Sequence, residues 1–331
     1  MTAQPSSSPI ADASPTGADA GGGTGYHLPV LPVEVVAALA PASGMVILDG
    51  TLGGGGHTSL LLQAGAEVIG LDQDMDALNH AGERLKAYAA TGQFRSVQSN
   101  FREFPAVLQS LGITALDGLL VDLGVSSYQL DVASRGFSFM HEGPLDMRMN
   151  TGGGRTAADL VNEDEPAELE RILWEYGEER QSRRIVRALV QRREQKPFTT
   201  TSDLASAIAG VIPRRGKTHP ATLTFQGLRI AVNDELAALA DFLHAAPTWL
   251  KPGGRLAVIS FHSLEDRMVK QAFQRLSTEW LDRPEWPEPR RNPEHCLRLL
   301  HRKPQEATDE EVKRNPRSRS AKLRTAEKLP Q

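Results

Sequence analysis

Three short apolar segments within residues 45–129 end in residue types that could meet a nucleoside. MVILDGTLGGGGHTS runs into four successive glycines, Gly53–Gly56, with His57 directly behind them. AEVIGLDQD closes on Asp72, nineteen positions after Gly53, and DGLLVDLGVSSYQLD carries Asp122 and then Gln129. In an open parallel sheet, ligands bind beyond the carboxyl ends of the strands. A glycine turn after the first strand and a carboxylate after the second make a nucleoside site there.

The glycines do not carry a dinucleotide fingerprint. G-x-G-x-x-G would need a glycine at Thr58, Ser59 or Leu52, depending on the register tried. The loop therefore allows close backbone approach to a ligand without the spacing that holds a pyrophosphate. A cofactor with a small zwitterionic tail, such as the methionine end of S-adenosylmethionine, suits it better. A plain tight turn is the other reading, although four glycines exceed what a turn needs. Asp72 could accept hydrogen bonds from both ribose hydroxyls or cap the next helix, and Asp74 or Asp76 could cap instead. Phe101 follows the third strand, where an adenine ring would lie, but could equally be core. Asp122 ends the fourth strand; a buried carboxylate there must be liganded or hydrogen-bonded. His262, in SFHSLED, could take a proton, donate to a base, or serve as a structural cap. His57 reads as orienting the loop or cofactor rather than as a base. Metal ligation has little support, because no close His/Asp/Glu spacing repeats.

The elements that position these residues alternate. Short runs rich in Val, Ile and Leu predict strands at 45–49, 67–71, 94–98 and 117–122, with helices through 33–39, 57–64, 75–90 and 103–111. That alternation implies right-handed crossovers and a parallel sheet. After Asp131 the texture changes: 135–155 reads as loop, and 156–212 is helical with no strand period. The sheet pattern resumes after a helix at about 225–248, with a strand at 255–260 and a helix from Ser263. The segment 295–327 could supply a last hairpin around a polar loop at 304–315. The class expected is α/β, a Rossmann-like parallel-rich sheet with an inserted helical domain. Residues 26–134 and 225–331 form the first unit and 135–224 the insertion. Residues 1–25 lack large apolar side chains and predict a disordered tail.

With 331 residues, 40% hydrophobic and 24% charged, the chain can bury a substantial core. Its single cysteine, Cys296, excludes an internal disulfide framework and fits a reducing, cytoplasmic compartment. No apolar run reaches the roughly 20 residues that span a bilayer, and the start lacks a signal-peptide pattern. Net charge of −4 gives no bulk nucleic-acid signature. Basic residues nevertheless cluster: Lys313, Arg314, Arg317, Arg319, Lys322 and Arg324 fall in one acid-free run. Arg180 to Arg193 and Arg214, Arg215 and Lys217 form two further groups. Such clusters can neutralise phosphates, and solvated helix faces look the same in sequence.

Taken together, these segments resemble the bacterial 16S ribosomal RNA cytosine-N4 methyltransferases. The resemblance is carried by DGTLGGGGHT at 49–58, DLGVSSYQLD at 122–131, RGFSFMHEGPLDMRM at 135–149, GEER at 177–180, HPATLTFQGLRIAVNDEL at 219–236, ISFHSLEDRMVK at 259–270 and NPRSRSAKLR at 315–324, with H-x-P-V-L at 27–31. It covers the chain from about His27 onward. It implies a class I methyltransferase that uses S-adenosylmethionine, held by Gly55, Gly56, His57, Asp72, Phe101, Asp122 and Gln129. The implied substrate is one cytosine in the decoding centre of 16S rRNA, met within the small ribosomal subunit. Tyr128 stands where the family usually has proline, and Leu223 where arginine is common.

The chemistry then expected is in-line methyl transfer to the exocyclic N4. That amino lone pair is delocalised into the ring, so the protein must align it and accept a hydrogen bond from it. Asp122 is the first candidate acceptor and His262 the second. A methyltransferase acting on a non-RNA substrate would lack steep salt dependence. A catalytically silent RNA-binding assembly factor would transfer no methyl group.

Overall fold

The computed structural model describes residues 28–330 except 215 and 217. The tail expected over 1–25 lies outside the described residues, as do His27, Arg215 and Lys217.

Helix Pro32–Leu39 (α1) leads into strand Val46–Asp49 (β1), helix Gly56–Gln63 (α2) and strand Glu67–Asp72 (β2). Helices Met75–Arg84 (α3) and Lys86–Ala90 (α4), strand Phe94–Gln98 (β3), helix Phe104–Ser110 (α5) and strand Leu116–Asp122 (β4) complete the first half. β1 pairs in parallel with both β2 and β4, and β2 pairs with β3. β1, β2 and β4 are buried on both faces, while the edge strand β3 is largely exposed. Leu48, Leu119 and Val258 point into one apolar cluster, while their neighbours Ile47, Leu120 and Ala257 point into the other, as the two-residue period of a strand requires. The single helix expected over 75–90 breaks at Leu85, which is buried in the second cluster.

A short helix, Ser127–Asp131 (α6), opens the non-sheet region. After it come Ala157–Glu163 (α7), Pro166–Arg171 (α8), a π-helical turn at Ile172–Tyr176, Ser182–Arg193 (α9), Thr201–Val211 (α10) and Thr222–Asn233 (α11). Leu160, Leu169, Ile185, Phe198, Leu204 and Ile208 close a separate core. Phe225 and Leu228 of α11 belong to it, so the helical cluster runs past residue 224. The one helix expected at 225–248 is instead two. α11 ends and Glu235–Trp249 (α12) begins at Asp234, whose φ of 50° is left-handed. On the far side of that break Leu239, Phe242 and Leu243 pack on the sheet.

The sheet resumes with Leu250–Ser260 (β5), parallel to β4, followed by helix Ser263–Ser277 (α13). A two-stranded ribbon, Trp280–Leu281 (β6) with Arg290–Arg291 (β7), precedes Leu297–Leu299 (β8). The stretch expected as a loop at 304–315 contains strand Gln305–Glu306 (β9) and helix Asp309–Arg314 (α14). Thr308 caps that helix by accepting from Glu311 N. Strand Lys322–Lys328 (β10) closes the chain, antiparallel to β5 and to β8. The strand order is β3-β2-β1-β4-β5-β10-β8, with β9 on β10. This is the expected α/β architecture: a mostly parallel sheet with a helical insertion between β4 and β5. Its order reverses between β1 and β4, which places a crevice above their carboxyl ends. Among the described residues no helix is long and apolar enough to cross a membrane.

Candidate active site

The crevice at the switch point encloses about 390 Å³, inside the range of about 300–1,000 Å³ typical of small-molecule sites. Its first wall is the turn after β1. Asp49 is fully buried and accepts from Thr58 Oγ1 at 2.7 Å and Thr51 N at 3.2 Å, fixing the turn to α2. Gly50 has no room for a side chain: a Cβ there would lie 2.9 Å from Val121 Cγ1 and 3.0 Å from the Phe101 Cβ. Gly53 and Gly55 adopt φ of 50° and 73°, the left-handed region that favours glycine. Gly53, Gly54 and Gly56 border the crevice. Gly55 sits behind them, where a Cβ would lie 3.0 Å from Leu85 Cδ1. The glycine run thus serves backbone conformation and packing as well as ligand approach.

Asp72 closes the first wall. Its two oxygens accept from Gly53 N at 2.8 Å and Asp74 N at 2.9 Å. Burial raises its pKa to about 6, opposed by those two backbone donors. Asp74, not Asp72, caps α3 by accepting from Asp76 N. Asp74 also accepts from Gln129 Nε2 and from Arg135 Nη1, both at 2.7 Å. Gln129 borders the crevice with both ends of its amide engaged, since its Oε1 accepts from Ser126 N at 2.9 Å. Arg135 in turn donates to the carbonyls of Arg148 and Met149, giving the loop after α6 a defined course. Phe101 lies on the wall opposite and meets Phe242 edge-on at 5.7 Å between ring centroids.

Asp122 stands at the other end. Its backbone N–H donates to Thr51 Oγ1 at 2.6 Å, tying β4 to the glycine turn. One carboxylate oxygen, Oδ1, is buried with no hydrogen-bond partner among the described residues. The other, Oδ2, is 3.8 Å from His57 Nδ1. Burial drives the Asp122 pKa up to about 7; the adjacent His57 opposes this, and the carboxylates of Asp49 and Glu265 reinforce it. His57 Nε2 is 2.8 Å from the Val30 carbonyl oxygen, so the ring bridges the N-terminal segment to Asp122.

The structure brings Gly53, Gly56, His57, Asp72, Phe101, Asp122 and Gln129 to one crevice. His262 is set apart from them. It is the N-cap of α13, its ring lies 3.1 Å from Glu265 Oε1, and it does not border the crevice. Its neighbour Glu265, the third residue of the same helix cap, does border the crevice. Glu265 is held below the usual carboxylate range against its burial by His262, Arg229 and the Phe261 backbone.

Sequence reasoning missed the contribution of the insertion. Arg229 and Asn233 of α11 and Glu235 of α12 line the wall facing the sheet. Asn233 accepts from Met149 N and donates to the carbonyl of Met147, whose φ of 64° it helps hold. An arginine and a glutamate six residues apart carry no helical-face signal, and the break at Asp234 that brings them together has neither glycine nor proline.

With this geometry in place, comparison with known proteins is specific. The MraW methylase family matches residues 24–329 of the chain. Ribosomal RNA small subunit methyltransferase H of Anaeromyxobacter sp. strain K is 52% identical over 306 residues, covering 92% of this chain and 98% of its own. The protein of the same name from Deinococcus deserti is 51% identical over 304 residues, covering 92% and 93%. A solved rRNA methylase from Streptococcus thermophilus aligns over 90% of this chain and 97% of that one, with 10% identity and a TM-score of 0.43. At that distance it carries no argument, and the fold assignment rests on strand order.

Proposed function

The chain belongs to the MraW methylase family, and on that premise we propose that it methylates the exocyclic N4 of a cytosine in the decoding centre of 16S ribosomal RNA, using S-adenosylmethionine. The observation that carries this reading is Asp122, a half-buried carboxylate at the switch point whose buried oxygen has no partner among the described residues. When bound, the cofactor supplies an electrophilic sulfonium methyl group. The crevice fits it: Asp72 would accept from the ribose hydroxyls, Phe101 would flank the adenine, and Gly53, Gly54 and Gly56 would leave room for the methionine end beside His57. Gly55 supports that loop from behind, and Gln129 holds the floor through Asp74.

Asp122, once ionised, accepts a hydrogen bond from the N4 amino group and so localises its lone pair toward the methyl. Asp122 would be held in that ionised form more readily with a cationic cofactor in the crevice than without one. His262 acts at one remove by fixing Glu265. The insertion, 135–224 extended through α11, faces the crevice and would receive the RNA with the basic C-terminal segment. A base in folded RNA must be splayed out to enter such a pocket. The small subunit as substrate and a cytoplasmic site of action belong to the same reading. Mass mapping of small-subunit rRNA from cells with and without the protein tests it. One N4-methylcytosine should vanish without the protein, and an unchanged map would defeat the proposal.

A further inference from the structure

Beyond Asp122 the crevice is bordered by a 3₁₀ turn, Pro316–Ser320, that leads into β10. Lys322 at the start of β10 lies opposite Ser260, and the preceding residue of β5, Ile259, lies opposite Asp122. The turn therefore stands on the side of Asp122 away from β1 and Asp72. Arg317 and Ser320 both line the crevice. Side chains three apart on a 3₁₀ turn eclipse one another, so the guanidinium and the hydroxyl share one face. Ser320 is exposed, and its hydroxyl has no partner among the described residues. Arg317 is held by one nitrogen: Nη2 donates to Asp131 Oδ1 at 3.0 Å, and Asp131 is itself 56% exposed. Its Nη1 is buried and has no partner among the described residues. Arg324, by contrast, grips both oxygens of Asp266 with two nitrogens. Burial pulls the Arg317 pKa below the usual arginine range, and Asp131 opposes this without offsetting it. A half-buried cation with an unanswered donor carries a cost that an anion in the crevice would remove.

We propose that Arg317 and Ser320 take a backbone phosphate of the RNA beside the target nucleotide, anchoring the strand while the base lies at Asp122. This rests on the ribosomal RNA reading above and deepens it. Asp72, the glycine turn and Asp122 take up the β2–β1–β4 side with the cofactor, which leaves the β5 side to the nucleotide. A guanidinium and a hydroxyl on one face match a phosphodiester, whose two free oxygens are adjacent acceptors sharing a charge. The methionine carboxylate of the cofactor is the other anion of that shape. The surroundings favour the polyanion. Lys313, Arg314 and Arg319 flank Arg317 in the chain and are exposed, a basic stretch that suits a run of phosphates and that a single carboxylate does not need. Asp131 is then a positioning residue, steadying the guanidinium through one nitrogen and leaving the other for the phosphate. Phosphate contacts fix register and carry no sequence information, so this turn places the strand and the end of β4 meets the base.

The test is methylation of small ribosomal subunits over a range of KCl concentrations by wild type, Arg317→Gln, Arg317→Lys and Ser320→Ala. Arg317→Gln should raise KM for the subunits about tenfold or more, the loss of hydrogen bonds to a charged group. Its plot of log kcat/KM against log salt should be shallower than that of wild type by about 0.7–0.9, the share of one phosphate contact. Arg317→Lys should keep the wild-type slope, and both variants should keep the wild-type KM for S-adenosylmethionine. An Arg317→Gln slope equal to that of wild type overturns the inference and leaves the Arg317–Asp131 pair a structural link. So does a KM that rises for the cofactor and not for the subunits, which assigns Arg317 to the methionine carboxylate. Should Arg317→Gln fail to fold, Ser320→Ala decides, because that side chain is exposed. It should raise the subunit KM roughly threefold or more with the slope unchanged, and an unaltered KM overturns the inference. A wild-type protein that binds S-adenosylhomocysteine yet methylates no small-subunit RNA defeats the ribosomal RNA reading itself and this inference with it.

Discussion

The two ends of the crevice hold their carboxylates in opposite ways. At the β2 end Asp72 is anchored: two backbone N–H groups from the glycine turn and the start of α3 fill one position on each oxygen and leave the second position of each open. At the β4 end Asp122 has, among the described residues, one oxygen with no partner and the other 3.8 Å from His57 Nδ1. Both are driven up in pKa by burial, Asp72 to about 6 and Asp122 to about 7. An anchored acid has fixed geometry and suits a group that is held unchanged. An unsatisfied one suits a group whose charge changes as the reaction proceeds, where a preorganised partner is worth most.

The joint between the ends should be the most sensitive point. Asp74 takes Gln129 and Arg135 on one oxygen, and Arg135 is 7% exposed. Asp74→Ala takes away the buried carboxylate, leaves that guanidinium only the half-exposed Asp76 at 3.2 Å as counter-charge, and should cost about 3 kcal/mol of stability, read as a drop in denaturant midpoint. An unchanged midpoint would mean the two ends are not tied through this residue.

Substitution at each end should then separate binding from turnover. Asp122→Asn is expected to lower kcat by roughly 10²–10³-fold with cofactor affinity within a few-fold of wild type. In wild type, kcat should rise with pH to a plateau, its midpoint at or below about 7. Asp72→Ala should do the reverse, weakening the cofactor by about ten- to a hundredfold, as expected for lost hydrogen bonds to a charged group, with kcat nearly kept at saturation. If both variants moved the same parameter, the contrast would dissolve.

The smallest effect is on stability of the ligand-free protein. A folded-state pKa raised above its unfolded value contributes stability that is present below pH 3.8 and lost as pH rises through the folded pKa. Wild type therefore carries a cost at pH 8 that Asp122→Asn lacks. The difference in Tm should shift in favour of the variant by roughly 2–4 °C between pH 5 and 8, and a pH-independent difference would show that the carboxylate is not buried as charge.

Much of this contrast was legible in sequence because it hangs on local signals. A buried strand closing on an acid announced Asp72 and Asp122, and the availability of Asp74 as a cap freed Asp72 from that duty. The glycine run marked the turn, though not that Gly55 would face Leu85. What sequence did not show depends on tertiary context. His262 stands at the right edge of the sheet, yet its backbone leads straight into α13 and its Nδ1 serves the cap, with Nε2 turned toward Glu265. Asp234 turns left-handed inside an unbroken helical pattern because α11 follows the insertion core and α12 follows the sheet. Thr308 with Glu311 three residues on is a readable helix start inside the polar stretch expected as a loop; in the fold Glu311 accepts from Leu31 N instead of closing the cap.

The most direct measurement is to incubate purified protein with small ribosomal subunits and S-adenosylmethionine, digest the RNA, and identify the methylated nucleoside for wild type and Asp122→Asn. The account expects N4-methylcytidine from wild type and a yield from the variant lower by roughly 10²-fold or more. A methyl group on another atom, or equal yields from the two proteins, would contradict it.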